Sequence, residues 1–174
     1  MAESTPEAAE PDRAMQLSAA REIALRLLTV RARSREELRK AMDKRRVPPD
    51  VAAEVLARFG EVGLIDDASF AQAWVESGQR RGRSRLAIAQ ELRTKGVADA
   101  EISQALETMD EDADYAAAKA LAEKKLRSLG ALDRQVAYRR IGGALMRRGF
   151  SCGLAARVLK EVLPTSVSPL GDQE

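Results

Sequence analysis

The chain repeats itself, and no other feature narrows its possible folds as much. RSREELRKAMDKRRVPPDVAAEVL at 33–56 lies over RSRLAIAQELRTKGVADAEISQAL at 83–106 with a shift of 50, so that Arg-Ser-Arg falls on Arg-Ser-Arg. A third copy, AYRRIGGALMRRGFSCGLAARVL at 137–159, follows at a further 53. Five apolar columns stay in register: Leu38, Ile88 and Ile141; Met42, Leu92 and Leu145; Val47, Val97 and Phe150; Val55, Ala105 and Val158; Leu56, Leu106 and Leu159. Inside each copy the apolar residues recur at three- and four-residue spacing, the signature of amphipathic helices, and the alternation expected of strands is nowhere sustained.

A turn column accompanies the apolar ones. Arg46, Gly96 and Gly149 close the second helix of each copy, at the position where a helix end commonly enters the left-handed region. Pro48, Ala98 and Ser151 then open the next helix, and leading helices are expected at about 18–31, 67–80 and 112–128. The reading is all-α: about nine helices in three tandem three-helix repeats, elongated and curved. Residues 1–14 are expected to form a disordered acidic tail, 15–65, 66–110 and 111–163 the three repeats, and 164–174 a disordered tail broken by Pro164 and Pro169. Repeats of about 50 residues are near the lower limit for an independent core, so neighbours should lean on one another.

Composition removes whole classes of chemistry. There is no His, no Asn and a single Cys, Cys152, which excludes imidazole relays, His or multi-Cys zinc sites and intramolecular disulfides. Neither a phosphate loop nor a dinucleotide glycine pattern is present, so no catalytic residue, metal or cofactor is expected. No run reaches the roughly 20 apolar residues of a membrane span, and the acidic start does not resemble a secretory signal, so a cytoplasmic location follows as the expectation. Asp66 and Asp67 before a helix read as a cap and a complement to the helix dipole, not as a metal pair. Phe70 and Trp74, four apart, read as a core stripe, and Cys152 as a small buried residue. Gly142 and Gly143 inside a helical pattern imply close helix packing or a kink.

Charge is where recognition is to be sought. The net charge is only +2, from 29 Lys and Arg against 27 Asp and Glu, and Arg outnumbers Lys 22 to 7. Residues 1–14 carry four acids and one Arg and 164–174 two acids, so the body from 15 to 163 holds 28 basic against 21 acidic residues, and basic bands fall at 31–46, 80–95 and 124–148 in equivalent parts of the repeats. A charge run is ordinarily a solvated face, but recurrence on a repeated scaffold points to a partner surface. The candidate partner-binding residues are Arg80, Arg81, Arg83, Arg85, Arg93, Lys95, Arg35, Arg39, Lys124, Lys125, Arg147 and Arg148. Phosphates and acidic protein patches fit these bands equally. Only six aromatics are available for stacking on bases, and no Asn for reading adenine.

GLIDDASFAQAWVESGQRRGRSRLAIAQELRTKGV at 63–97, AEKKL at 122–126 and RRGFS at 147–151, with the leading ALRLL and RSREEL, resemble the RecX family of modulators of the RecA recombinase. The resemblance runs over 19–163, and the RRV turn at 45–47, against KGV and RGF later, is where the chain departs from it. It implies three tandem three-helix repeats and a monomeric, non-enzymatic negative regulator. Such a protein binds the RecA–DNA filament and inhibits ATP hydrolysis, strand exchange and co-protease activity. Its partners would be the recombinase filament and single- or double-stranded DNA, with no membrane. The alternative is a DNA-binding helical module that inhibits indirectly by competing for DNA. On either view Arg80, Arg81, Arg83 and Arg85 are expected to face the filament.

Overall fold

A computed structural model of the chain describes residues 9–110, 112–130 and 133–163. Among them are nine α-helices and no strand: α1 Ala9–Val30, α2 Arg35–Asp43, α3 Pro49–Glu61, α4 Asp67–Arg80, α5 Arg85–Thr94, α6 Asp99–Glu107, α7 Ala113–Leu129, α8 Arg134–Arg147 and α9 Cys152–Val162. They form three successive three-helix repeats, as the periodicity predicts. Fourteen of the fifteen residues in the five apolar columns are buried, and Val47 is half-buried against the first core.

The chain divides into two compact units. One holds the described residues up to Trp74 together with Glu91–Ala105; the other holds Val75–Gln90 together with the described residues from Leu106 onward. In the first unit α1, α2 and α3 pack around Ala20, Ala24, Leu38, Met42, Val51, Val55 and Leu56. In the second, α7, α8 and α9 pack around Ala118, Ala122, Ile141, Leu145, Phe150, Val158 and Leu159. Alanine on the leading helix of each core lets its partners approach closely, which is how a chain with so few aromatics reaches interior packing density. α8 runs through its paired glycines as one helix, and a Cβ on Gly142 would stand 3.4 Å from Leu159 Cδ1 of α9, in van der Waals contact.

The turn column behaves as its position predicts. Arg46, Gly96 and Gly149 have φ of 60°, 76° and 85°. All three are left-handed, and only the first is made by a residue with a Cβ.

Three details differ from expectation. The first helix begins at Ala9 inside the segment read as a tail, and the Arg13 guanidinium on it bridges Asp50 (2.6 Å) and Glu54 (2.8 Å) of α3; residues 1–8 and 164–174 lie outside the described residues. Trp74 is half-buried and not in a core: its ring stacks on buried Phe70 at 5.9 Å, its Nε1–H donates to Glu91 (3.0 Å), and the Lys95 ammonium lies 4.2 Å from its centroid. An indole carries a polar edge that prefers such a boundary, and Ala71 and Val75 fill the buried face of α4 beside Phe70. Cys152 is exposed at the first residue of α9, its Sγ 3.7 Å from Met146 Sδ. Asp66 caps α4 as expected, accepting the Ser69 N–H at 3.0 Å, and Asp67 lies in the first turn of α4 as expected while also accepting the Arg35 N–H of α2 (2.9 Å).

Candidate functional site

A joint between successive repeats occurs twice, beside the candidate cations. Ser34 caps α2: its oxygen accepts the Glu37 N–H (3.1 Å), and its hydroxyl donates to the Lys95 carbonyl in the turn after α5 (2.6 Å). Ser84 caps α5 in the same way, accepting the Ala87 N–H (3.1 Å) and donating to the Gly149 carbonyl in the turn after α8 (2.7 Å). The first amide of each helix is taken by a carboxylate from the leading helix of the following repeat, Arg35 N–H by Asp67 (2.9 Å) and Arg85 N–H by Asp114 (2.8 Å). Both serines are fully buried, and each is the centre of one Arg-Ser-Arg. In the third copy the column holds Ala137, where no further turn follows among the described residues. A Cβ on Gly96 would come within 2.3 Å of Glu36, and one on Gly149 within 2.5 Å of Ala87, so the turn that receives each serine must also be bare.

Around the first joint the cations are neutralised by near neighbours. Arg39 Nε lies 2.7 Å from Glu36 and holds that carboxyl below the usual range; Arg93 Nε lies 2.8 Å from Asp99. The Glu37 carboxylate takes Lys95 (3.0 Å) and Arg31 (2.9 Å) and closes a capping box on the Ser34 N–H. Burial works to raise its pKa. Hydrogen bonds from Arg31 and Lys95, the Lys95 charge and the Ser34 N–H outweigh burial and bring it down to about 2. Arg35 and Arg39 line a cleft over Val47, Ala52 and Leu56 whose rim also carries Glu36, Asp43 and Asp67, so its charge is mixed.

The second unit differs. One groove between the end of α4 and α7 is lined by Arg80, Arg81, Arg83, Lys124 and Arg148 with Gly82, Ala117, Ala120 and Leu121; among the described residues no carboxylate lines it, although Arg80 pairs with Glu76 one turn back on α4 (3.8 Å). It is firmly built: the Arg148 guanidinium donates to the Arg81 carbonyl, and Arg81 reaches back to the Ser77 carbonyl (3.1 Å) and hydroxyl (2.9 Å). A second groove, between α7 and α8, is lined by Lys125, Arg139, Arg140 and Arg147 with Ser128, Leu129 and Ala144, again with no carboxylate among the described residues. Five of the twelve sequence-level candidates therefore meet in one groove and two more in another. Arg35, Arg39, Arg93 and Lys95 belong to the first unit, and Arg85 contributes its amide to the joint. Sequence reasoning passed over Arg139 and Arg140, although both lie inside the band at 124–148. It also left the serines without a role, although their exact recurrence was visible.

Among the described residues no three acidic or sulfur side chains converge on a metal position, and no helix is long and apolar enough to cross a membrane.

Comparison with known proteins fits this architecture. Models of the first, second and third three-helix domains of RecX match residues 20–59, 66–106 and 111–159. The chain is 49 % identical to a regulatory protein RecX of Streptomyces coelicolor over 145 residues, covering 83 % of this chain and 77 % of that one. It is 46 % identical to a regulatory protein RecX of Mycobacterium avium over 157 residues, covering 88 % of each. The crystal structure of RecX from Lactobacillus salivarius superposes with a TM-score of 0.72 at 21 % identity, over 86 % of this chain and 97 % of that one, and so shares the fold. Three matched domains in order, and relatives this similar over most of their length, place the chain in the RecX family of regulatory proteins.

Proposed function

We propose that the chain is a non-enzymatic negative regulator of a RecA-type recombinase in the cytoplasm, binding the recombinase–DNA filament and inhibiting its ATP hydrolysis, strand exchange and co-protease activity. The observation that carries this reading, beside membership of the family, is the α4–α7 groove. It draws cations from the second and third repeats to one place and lines them with small residues, with no carboxylate among its described lining residues. Arg side chains held in this way make bidentate, charge-assisted bonds with carboxylates on a protein partner. The rigid bracing of Arg81 and Arg148 lowers the entropy lost when such bonds form.

The test is a triple charge reversal, Arg80→Glu with Arg83→Glu and Lys124→Glu. Arg85 and Arg148 are spared because the joint and the groove floor depend on their positions. The variant should keep its melting temperature and lose inhibition of recombinase ATP hydrolysis. The parent protein should bind pre-formed filaments at least about tenfold more tightly than naked DNA of the same length, with contacts beyond DNA supplying the difference. Equal binding to filament and naked DNA, with inhibition relieved by excess DNA, would instead favour indirect inhibition by competition for DNA.

A further inference from the structure

The two joints share a geometry and differ in their rims. At the first the rim is charged: Arg93, whose carbonyl accepts the Gly96 N–H (2.9 Å), pairs with Asp99 (2.8 Å), and Glu36 stands where a Cβ on Gly96 would fall. At the second, the register of the repeats puts Leu86 in the place of Glu36, Met146 in that of Arg93 and Cys152 in that of Asp99. The contacts follow the substitution. The Met146 carbonyl accepts the Gly149 N–H (2.9 Å), the Cys152 Sγ lies 3.7 Å from the Met146 Sδ, and Ala87, next to Leu86, is what a Cβ on Gly149 would meet. Leu86 is 64 % exposed, Met146 is 46 % exposed, and Cys152 is exposed as well.

The joint itself does not call for an apolar rim, because the first one holds its serine and its helix amides with a charged one. Leu, Met and Cys gathered in water around one backbone turn gain free energy when something covers them. We infer that the rim of the second joint docks a segment of the recombinase that presents an apolar side chain beside a carboxylate. This rests on the reading of the α4–α7 groove given above.

The rim chooses its occupant by shape and by charge. A flexible thioether beside a leucine moulds itself to an apolar side chain and forms the water-free centre that protein interfaces are built around. The charge comes from a second exchange in the same register. Glu37, which takes Lys95 at the first joint (3.0 Å), corresponds to Ala87 at the second, and Lys95 corresponds to Arg148. The cation is kept and its carboxylate is gone: Arg148 is in no ion pair among the described residues, and its guanidinium donates to the Arg81 carbonyl. A partner's carboxylate beside Ala87 stands to Arg148 as Glu37 stands to Lys95. Arg148 also lines the α4–α7 groove, so rim and groove meet at one residue and form a continuous surface.

Cys152 is the single cysteine of the chain, so its alkylation reports on the rim directly. The iodoacetamide rate is measured on the full chain alone, with single-stranded DNA, and with recombinase filament assembled on the same DNA. The filament should slow alkylation at least about tenfold and naked DNA less than about twofold, as for a side chain enclosed at an interface centre. In parallel the first rim is transplanted onto the second, Leu86→Glu with Met146→Arg and Cys152→Asp, and the reciprocal control is Glu36→Leu with Arg93→Met and Asp99→Ala. Both should keep the melting temperature; the transplant should bind filament at least about tenfold more weakly and the control within about threefold of the parent. A folded transplant with parental affinity overturns the proposal. So does unchanged alkylation on filaments that hold the chain, a result that leaves the groove reading standing. Filaments that do not hold the chain overturn both. Protection by naked DNA marks a nucleic-acid contact, and protection that grows with the chain's own concentration marks a second copy; either overturns the proposal. If the transplant fails to fold, alkylation of the parent decides.

Discussion

Arg46 is the one non-glycine residue with positive φ among those described, and it occupies the turn that Gly96 and Gly149 make in the other repeats. A left-handed residue with a Cβ costs about 1 kcal/mol, and the exposed Arg46 side chain makes no contact that requires it. Arg46→Gly should therefore raise stability by about 0.5 to 1 kcal/mol in denaturant melts, the added freedom of the unfolded chain offsetting part of the gain. The same logic reverses at Gly149, where Ala would carry both a positive φ and a Cβ within 2.5 Å of Ala87. Gly149→Ala should be destabilising by more than about 2 kcal/mol. A neutral result there would mean that the turn is not pressed against α5. The buried serines are of the same kind: Ser34→Ala or Ser84→Ala leaves an amide and a carbonyl unpaired in the interior and should cost about 1 to 3 kcal/mol each. Surface serines do not behave this way.

At the scale of the element, α2 and α5 have their first and third amides satisfied by residues from two different repeats. Asp114→Ala removes only the bond to the Arg85 amide, so the expected loss is about 1 kcal/mol with faster hydrogen exchange at that amide. The capping box of α2 also sets an acid limit. Glu37 has its folded pKa lowered from 4.5 to about 2, so its contribution to stability is fully present above pH 4.5 and is lost as the pH falls through about 2. Acid titration of the parent should show stability falling across that window. Glu37→Gln should flatten that limb and lower stability at neutral pH by about 1 to 3 kcal/mol, with Lys95 left unneutralised beside Trp74. An acid limb unchanged in the variant would place the titrating group elsewhere.

Among the described residues the basic bands differ in their surroundings: in the first unit Arg39 pairs with Glu36 and Arg93 with Asp99, while the two grooves with no carboxylate among their described lining residues belong to the second, where Arg80 pairs with Glu76. Arg39→Gln with Arg93→Gln should accordingly change inhibition of recombinase ATP hydrolysis by less than about threefold, against loss of inhibition in the Arg80, Arg83, Lys124 reversal. Equal damage from both sets would show that the basic bands act as equivalents, as their sequence positions alone imply.

Helix content, the repeat and the buried positions of the five apolar columns were legible in the residues, because burial on a helix follows spacing of three and four along the chain and needs no knowledge of distant partners. The left-handed turns were legible for a similar reason: each is a local event at a helix end. The joint was not, since Ser34 and Ser84 find their acceptors 61 and 65 residues away, and only packing of one repeat on the next brings a turn carbonyl to a helix start. Nor could spacing tell a cation held by a carboxylate from one left facing solvent. Lys95 and Arg140 are alike in sequence, both inside basic bands, but the fold brings Glu37, 58 residues away, beside the first, and among the described residues no carboxylate lines the groove of the second. Charge neutralisation depends on distance in space, and tertiary structure alone decides it.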